Sequence, residues 1–333
     1  MHYMSQNELR FKWLGIHRWQ KAGYAGKGIK IGICDADTDI SKARYPEKIT
    51  TYQTAGYQPN WNEGSGSHAL ATIDVVQQIA PEAEIFFGSW NQSLDSFVQE
   101  CIKRKVDIVN VSLRYSGRSP ISRATSEAAV AAGMLLFTSA GNKGDVPSDL
   151  RGYPAKKGSW IAVGSAILDE NTHRPRRVAS SSTGRELEVM STSFIHVRIP
   201  QPFNTWVYTG TSAASPVLAS MFALYKEKHR ELDKEDVREL FLEHCLDMDD
   251  EGHDRRTGWG VFRLPHPETE ERMKEIVLQI DNNVAIVDGE PVTIDAPPEI
   301  KNSRTMVPLS FIARELGHDV EWDGENRRVI IRR

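Results

Sequence analysis

Residues 29–35 read IKIGICD, an almost unbroken apolar run that ends on the carboxylate of Asp35. Runs without polar alternation are typical of parallel strands that are buried on both faces. Four further runs of this kind follow along the chain, at 83–89, 107–113, 134–141 and 159–166. Segments with a helical pattern stand between them, at 68–78, 93–105 and 122–133. Because strands and helices alternate, the sequence predicts an α/β fold with a doubly wound, mostly parallel sheet and helices on both faces.

The composition excludes several classes of protein. The chain has 333 residues, of which 40% are hydrophobic and 26% charged, as in ordinary globular proteins. Its formal net charge is −4, so nothing attracts the whole chain to phosphate backbones, and we expect no nucleic-acid partner. The longest apolar stretch, 128–137, is far shorter than the roughly 20 residues that cross a bilayer, so we expect no membrane insertion.

The cysteines and the N-terminus bear on the location of the protein. Cys34, Cys101 and Cys245 are odd in number and far apart, which fits neither a disulfide framework nor a zinc site. The N-terminal segment carries scattered charges and no continuous apolar region, so it does not read as a signal peptide. We therefore expect a cytoplasmic protein. A secreted protein trimmed to its mature form would have the same N-terminus and is the alternative.

A change of pattern towards the C-terminus indicates a second domain. Residues 266–276 are polar and contain proline, as in a linker. From 277 to 333 the pattern becomes short β-hairpins around one helix, with Asp-Gly turns at 288–289 and 323–324. We expect a large domain over 1–265 and a small β-rich α+β domain over 277–333.

Three polar side chains mark a candidate catalytic site. Asp35 ends the first strand, His68 opens an apolar helix within GSGSHALAT, and Ser212 lies in GTSAASP where another helix begins. Doubly wound folds bind their ligands beyond the carboxyl ends of the strands, where these residues would meet. A serine hydroxyl becomes a good nucleophile when an imidazole takes its proton, and a carboxylate orients the imidazole. The set predicts acyl transfer, in a chain order that is known for this geometry.

A fourth segment, FTSAGNKGD, ends a strand at Asn142. A side-chain amide at this place can donate a hydrogen bond to the oxyanion of a tetrahedral intermediate. The helix that begins at Ser212 would add backbone N–H groups and its positive dipole end.

Together these segments resemble the subtilisin-like serine proteases, the subtilases of peptidase family S8. Residues 14–264 follow that family's order of motifs, through GYAGKGIKIGICD, GSGSHALAT, DIVNVSL, TSAGN and GTSAASP. The resemblance implies a subtilisin-like fold and a serine endopeptidase acting on protein or peptide substrates. It implies that Asp35 orients the imidazole of His68, that His68 is the general acid and base, and that Ser212 forms the acyl-enzyme. Asn142 would stabilise the oxyanion, and neither a metal nor an organic cofactor is expected.

The resemblance also implies two strips of backbone along the substrate cleft. One would pair with extended substrate as an added β-strand, and it comprises Ser112, Leu113 and Arg114. The other would line the opposite wall of the primary specificity pocket, and it comprises Ser139, Ala140 and Gly141.

Two departures from the family pattern keep a second interpretation open. Arg114 stands where subtilases usually carry glycine, and a guanidinium there would narrow or block the cleft. Asp37 adds a carboxylate that would raise the pKa of His68 if it faced the imidazole. The alternative is a latent or inactive subtilase-like binding scaffold that acts through its cleft or its C-terminal module. The intact set of Asp, His, Ser and Asn favours the enzyme.

Residues 277–333 resemble the small domain named after the N-terminal region of copper amine oxidases, an accessory module common in Gram-positive bacterial proteins. His318 is the single histidine of this segment and no cysteine is present, so the segment lacks the ligands that copper prefers. Interaction, dimerisation and tethering stay open as its roles, with a protein or the cell envelope as the expected contact.

Overall fold

The computed structural model describes residues 2–58, 66–113, 120–145, 154, 158–169, 172, 174–199, 205–267, 276–287, 290–315, 319–324 and 326–332. The chain divides into two compact units, Met1–Pro267 and Glu268–Arg333.

In the part of the chain that the structure describes, the first unit contains a ten-stranded sheet and a separate two-stranded hairpin. Its strands are β1 (Lys30–Asp35), β2 (Ile49–Tyr52), β3 (Glu84–Ser89), β4 (Ile108–Val111), β5 (Leu135–Ser139), β6 (Ile161–Leu168), β7 (Pro175–Arg177), β8 (Leu187–Thr192), β9 (Ile195–Val197), β10 (Trp206–Tyr208), β11 (Cys245–Leu246) and β12 (Val261–Phe262). The order across the sheet is β11-β12-β8-β6-β5-β4-β1-β3-β2, and β7 pairs with β6. Within the ten-stranded sheet, only β7 and β11 run antiparallel to their described neighbours, so the predicted doubly wound, mostly parallel sheet is confirmed.

Helices cover both faces of this sheet. They are α1 (His2–Trp13), α2 (Ile16–Lys21), α3 (Gly66–Ile79), α4 (Leu94–Lys103), α5 (Arg123–Ala131), α6 (Thr211–Lys228) and α7 (Lys234–His244). The larger core cluster includes α3 and α6, and α6 is buried almost all round, as expected of a helix in the middle of a layer. A second cluster includes α4 and α5. Among the described helices, none is long and apolar enough to cross a membrane.

The site lies where the sheet changes its direction of winding. β1 pairs with β3 on one side and with β4 on the other, so the chain builds the sheet outward from β1 in both directions. A crevice opens beyond the carboxyl ends of strands at such a point. β4 ends at Val111 and β5 at Ser139, earlier than the predicted limits of 113 and 141. The residues that follow therefore leave the sheet at this edge.

The hairpin of β9 and β10 is held by the N-terminal helix α1, which the sequence patterns did not predict. The amide Nδ2 of Asn7 donates to the backbone oxygen of His196 at 2.9 Å and to Gln78 Oε1 at 2.8 Å. Asn7 Oδ1 accepts from the backbone N–H of His196 at 3.0 Å. One buried side chain thus joins α1, α3 and β9.

The second unit consists of small antiparallel sheets and one described helix. Its elements are β13 (Ile276–Val277), β14 (Val284–Val287), β15 (Glu290–Thr293), β16 (Glu299–Lys301), β17 (Arg304–Met306), α8 (Leu309–Glu315), β18 (Asp319–Asp323) and β19 (Arg328–Arg332). β13, β14 and β15 form a three-stranded sheet, while β16–β17 and β18–β19 are hairpins. The β-rich α+β composition is confirmed. The predicted turn at 288–289 and most of the predicted linker, 268–275, lie outside the described residues.

Candidate active site

Asp35 closes β1 at the carboxyl edge of the sheet, and its side chain is fully buried. Its Oδ1 accepts hydrogen bonds from the backbone N–H of Ala36 and from Nδ1 of His68, each at 2.7 Å. Its Oδ2 accepts one from Thr72 Oγ1 at 2.9 Å. Three donors therefore satisfy this buried carboxylate and fix the direction of both oxygens.

His68 lies in the first turn of α3, which begins at Gly66. Residues four apart share one face of a helix, so His68 and Thr72 both face Asp35. Burial lowers the pKa of His68, but the charge of Asp35 and the hydrogen bond to it outweigh burial and raise this pKa above its ordinary value. Because Nδ1 donates to Asp35, the neutral imidazole carries its free lone pair on Nε2.

Ser212 stands in the first turn of α6, which is preceded by Gly210 with a φ of 74°. Its Oγ donates a hydrogen bond to the backbone oxygen of Ser112 at 3.0 Å. N–H groups in the first turn of a helix have no acceptor within the helix, and they lie at the positive end of its dipole. The Ser212 N–H is one of these donors.

The side chain of Asn142 lies against the start of the same helix. Its Oδ1 accepts from the backbone N–H of Thr211 at 3.0 Å and from Thr211 Oγ1 at 3.1 Å. Thr211 Oγ1 in turn accepts from the N–H of Gly141 at 3.1 Å. These contacts fix the amide so that its Nδ2 donor group is turned away from Thr211.

Tyr208 is a member of the site that the sequence did not indicate. Its side chain is 1% exposed, and its hydroxyl lies 3.1 Å from His68 Nε2 and 2.9 Å from Thr72 Oγ1. Among the described residues, this phenol is the hydrogen-bond partner of His68 Nε2, and Ser212 Oγ is not. No local signal marks Tyr208, whereas the spacing of four from His68 would have indicated Thr72.

The first predicted substrate strip follows β4. Ser112 is buried, and its Oγ accepts from Asn110 Nδ2 at 3.0 Å. Asn110 Oδ1 accepts from Ser215 Oγ at 2.6 Å, which ties the end of β4 to α6. Leu113 is half-buried, and Arg114 lies outside the described residues. Asn110 is a further residue that the sequence did not single out.

The second predicted strip begins at Ser139, the last residue of β5, and β5 is the neighbour of β4 in the sheet. Ser139 and Ala140 are buried, and the Ala140 N–H donates to Val163 of β6 at 2.9 Å. Gly141 has a φ of 107°, and its oxygen accepts from the N–H of Ser182 at 2.9 Å. The two strips thus leave the sheet on adjacent strands at the edge where Asp35 ends β1.

Asp37 is turned to partners other than the imidazole. Its carboxylate accepts hydrogen bonds from the hydroxyl of Tyr57 and, at 2.8 Å, from Asn91 Nδ2. Burial and the hydrogen bond to Asp37 raise the pKa of Tyr57. The raised pKa of His68 is due to Asp35.

None of the three cysteines, all of which the structure describes, forms a disulfide, and Cys34 and Cys101 are buried. Burial raises the pKa of Cys101, as expected of a thiol in the core. Over the described ranges, no group of three or more His, Cys, Asp or Glu side chains is arranged to hold a metal ion.

A doubly wound sheet with an Asp–His pair at its carboxyl edge and a serine at a nearby helix start carries the residue types that a serine hydrolase uses. The model of the subtilase family matches residues 26–260, and the model of the copper amine oxidase N-terminal domain matches residues 268–331. The chain belongs to the subtilase family, the subtilisin-type serine proteases.

Individual relatives agree with this assignment. The minor extracellular protease Epr of Bacillus subtilis (strain 168) is 30% identical over 262 residues, which are 73% of this chain and 39% of that protein. Subtilisin DY of Bacillus licheniformis is 29% identical over 256 residues, which are 69% of this chain and 88% of that protein. Among solved structures, a lanthipeptide protease shares the fold with a TM-score of 0.62 and 19% identity, over 76% of this chain and 92% of that one.

Proposed function

We propose that this protein is a serine endopeptidase that hydrolyses peptide bonds through an acyl-enzyme on Ser212. The observation that carries the proposal is the 2.7 Å contact between Asp35 Oδ1 and His68 Nδ1, beside the helix start that bears Ser212. A buried carboxylate fixes the imidazole tautomer and stabilises the imidazolium that forms during the reaction. Subtilase relatives support protein or peptide substrates.

In the first step, Ser212 Oγ attacks the carbonyl carbon of the scissile peptide bond, and its proton passes to His68 Nε2. The negative charge that develops on the carbonyl oxygen is stabilised by Asn142 Nδ2 and the N–H of Ser212. His68 then gives its proton to the leaving nitrogen, and the C–N bond breaks. A water molecule then attacks the ester of the acyl-enzyme while His68 takes one of its protons. The bond between the acyl carbon and Ser212 Oγ breaks, and His68 gives this proton to Ser212 Oγ.

The substrate would lie between the two backbone strips. Ser112, Leu113 and Arg114 would pair with its backbone on one side, and Ser139, Ala140 and Gly141 would form the opposite wall of the primary pocket. The buried positions of Ser112, Ser139 and Ala140 support this, because backbone held by buried contacts is rigid enough to act as a template.

Three further parts of the proposal concern the domains, the contact made by the small domain and the location of the protein. The large domain over 1–265 and the small domain over 277–333 would be joined by the linker 266–276, and the division into two compact units supports this. The small domain would contact a protein or the cell envelope, which its exposed Trp322 and Val329 support. Three cysteines that form no disulfide support a cytoplasmic location. The scaffold alternative has less support, because the Asp35–His68 pair is assembled.

The proposal is tested by mass spectrometry after incubation with a fluorophosphonate. Ser212 Oγ displaces fluoride from phosphorus when its proton can pass to His68, so we expect one label at Ser212. Ser212→Ala would abolish the label, whereas Ser180→Ala, at an exposed serine, would keep it. A folded protein that takes no label, or takes it elsewhere, would contradict the proposal.

A further inference from the structure

The hydroxyl of Tyr208 contacts Nε2 of His68, the nitrogen that accepts the serine proton in the proposed reaction. Its hydroxyl lies 3.1 Å from His68 Nε2, within hydrogen-bond range, and the two rings meet edge to face with centroids 5.2 Å apart. Ser212 Oγ meanwhile donates to the backbone oxygen of Ser112 at 3.0 Å. The nucleophile and its base are therefore each engaged with another partner.

The protons of this cluster can be assigned from its contacts. Nδ1 of His68 donates to Asp35 Oδ1, so Nε2 of the neutral imidazole is an acceptor. Thr72 Oγ1 uses its one proton on Asp35 Oδ2. Burial and the charge of Asp35 raise the pKa of Tyr208 well above its ordinary value, so the phenol keeps its proton. The acceptors within reach of that proton are His68 Nε2, Thr72 Oγ1 and the hydroxyl oxygens of Ser212 and Ser112.

A neutral imidazole nitrogen has one lone pair and accepts one strong hydrogen bond. Tyr208 and Ser212 therefore compete for His68 Nε2. We propose that Tyr208 is a positioning residue that holds His68 Nε2 in the free enzyme and yields it to Ser212 when substrate binds. This inference rests on the proposed function, because it concerns the base of that reaction.

Release of the imidazole needs little movement, because Thr72 is a second acceptor. Rotation of the Tyr208 hydroxyl turns its proton to Thr72 Oγ1, 2.9 Å away, and leaves Nε2 open to Ser212. The phenol stays hydrogen-bonded in both arrangements, so neither leaves a buried donor unsatisfied. Once His68 is protonated, its Nε2–H can donate to the phenolic oxygen. Tyr208 thus has a partner in each protonation state of the base.

The first test compares the fluorophosphonate labelling rate of Ser212 in the wild type and in Tyr208→Phe. Removing one competing hydrogen bond is expected to raise the second-order rate constant roughly threefold to tenfold. Tyr45→Phe, at an exposed tyrosine, is the matched control and should label at the wild-type rate. An unchanged or lower rate in folded Tyr208→Phe would overturn the role of Tyr208. If neither the wild type nor Tyr208→Phe takes the label, the proposed function itself is overturned.

The second test reads the hydrogen bond directly and needs no activity. In protein labelled with ¹⁵N-histidine, the Nε2 resonance of His68 should be unmoved by Ser212→Ala and shifted by Tyr208→Phe in that background. A purely structural role of the tyrosine ring would leave this resonance unchanged. If Tyr208→Phe does not fold, Ser212→Ala alone decides. A resonance that moves when Ser212 is removed would show that the serine is the partner in the free enzyme, and the inference would fail.

Discussion

Gly210 and Asn142 meet at the start of α6, where one added carbon would disturb the site. Gly210 has a φ of 74°, and a Cβ built on it would lie 2.9 Å from Asn142 Oδ1. We expect Gly210→Ala to displace the amide that is proposed to bind the oxyanion. Loss of one such donor costs about 10²–10³ in rate, a value measured in a subtilase, so kcat/KM for a peptide substrate should fall at least tenfold.

Gly23→Ala is the control for Gly210→Ala, because it introduces backbone strain without displacing the side chain of Asn142. Gly23 also has a positive φ, of 95°, but a Cβ there would meet nothing within 4 Å. Both variants should lose about 1 kcal/mol of stability from the strained conformation, measured by denaturant unfolding. Only Gly210→Ala should lose activity. Equal kcat/KM values for the two variants would show that Asn142 does not need its present position.

The raised pKa of His68 determines the acid limb of the pH profile of kcat/KM for the proposed activity. The base must be neutral to accept the proton of Ser212, so kcat/KM should fall as the pH decreases through this pKa. Asp35→Asn removes the charge and the hydrogen bond that raise the pKa and leaves the effect of burial, which lowers it. The acid limb should therefore move to lower pH, and kcat should drop by about 10⁴ because the tautomer is no longer fixed.

Asp37→Asn is the matched control for that experiment. It removes a second buried carboxylate near the same strand end, but that carboxylate is bound by Tyr57 and Asn91. The pH profile of kcat/KM should keep its acid limb. A shift as large as that of Asp35→Asn would mean that the imidazole senses both carboxylates alike.

Helix α1 holds the hairpin that carries Tyr208. Asn7 satisfies both the N–H and the oxygen of His196 in β9, and β9 pairs with β10. Asn7→Ala would leave the N–H of His196 without its acceptor, at a cost of about 1–3 kcal/mol if it stays unsatisfied. The oxygen of His196 would keep its hydrogen bond from Gln78 Nε2 at 3.0 Å. We expect a lower free energy of unfolding and faster hydrogen exchange at the His196 amide.

Glu8→Ala is the neighbouring control on the same helix. Glu8 pairs with Lys12 at the surface, and exposed pairs of this spacing contribute less than about 1 kcal/mol. Hydrogen exchange at the His196 amide should be as slow in Glu8→Ala as in the wild type. If Asn7→Ala also leaves this exchange unchanged, the hairpin is held by other contacts.

The elements that the sequence predicted well are those buried on both faces. β1, β3, β4, β5 and β6 have apolar side chains on both sides, so their composition alone distinguishes them. Their ends were less predictable. The predicted limits of 113 and 141 are too long because backbone groups beyond Val111 and Ser139 turn to α6: the oxygen of Ser112 accepts from Ser212, and the N–H of Gly141 donates to Thr211. α1 has no strong apolar face and depends on its tertiary contacts.

The candidate site was predictable to the extent that each residue sits in a recognisable segment. Asp35, His68 and Ser212 each follow a strand or open a helix, and the structure brings the carboxylate and the imidazole together. Tyr208 lies 140 positions from His68, and their contact depends on the pairing of two three-residue strands. Neither strand has enough length to show a period, so nothing in the local sequence marks this contact.

The residues of the candidate site all belong to the first unit, and the two core clusters contain only residues of that unit. A few contacts made by the last residues of this unit determine where the chain can end without loss of its core. Leu264 is fully buried, and its N–H donates to the oxygen of Leu14 at 2.9 Å. Pro265 accepts from the indole of the buried Trp19 at 2.8 Å, and Pro267 from Lys228 Nζ at 2.7 Å.

These contacts predict different outcomes for two truncations four residues apart. A chain that ends at Pro267 keeps all of them and should label at Ser212 and melt within a few degrees of the first unit in the full chain. A chain that ends at Arg263 loses the buried Leu264 side chain and leaves the Trp19 N–H unsatisfied. Together these losses cost several kcal/mol, which should lower the melting temperature by on the order of 10 °C. If both truncations melt together, the tail does not complete this core. If the longer one is already unfolded, the first unit depends on residues 268–333 for its stability.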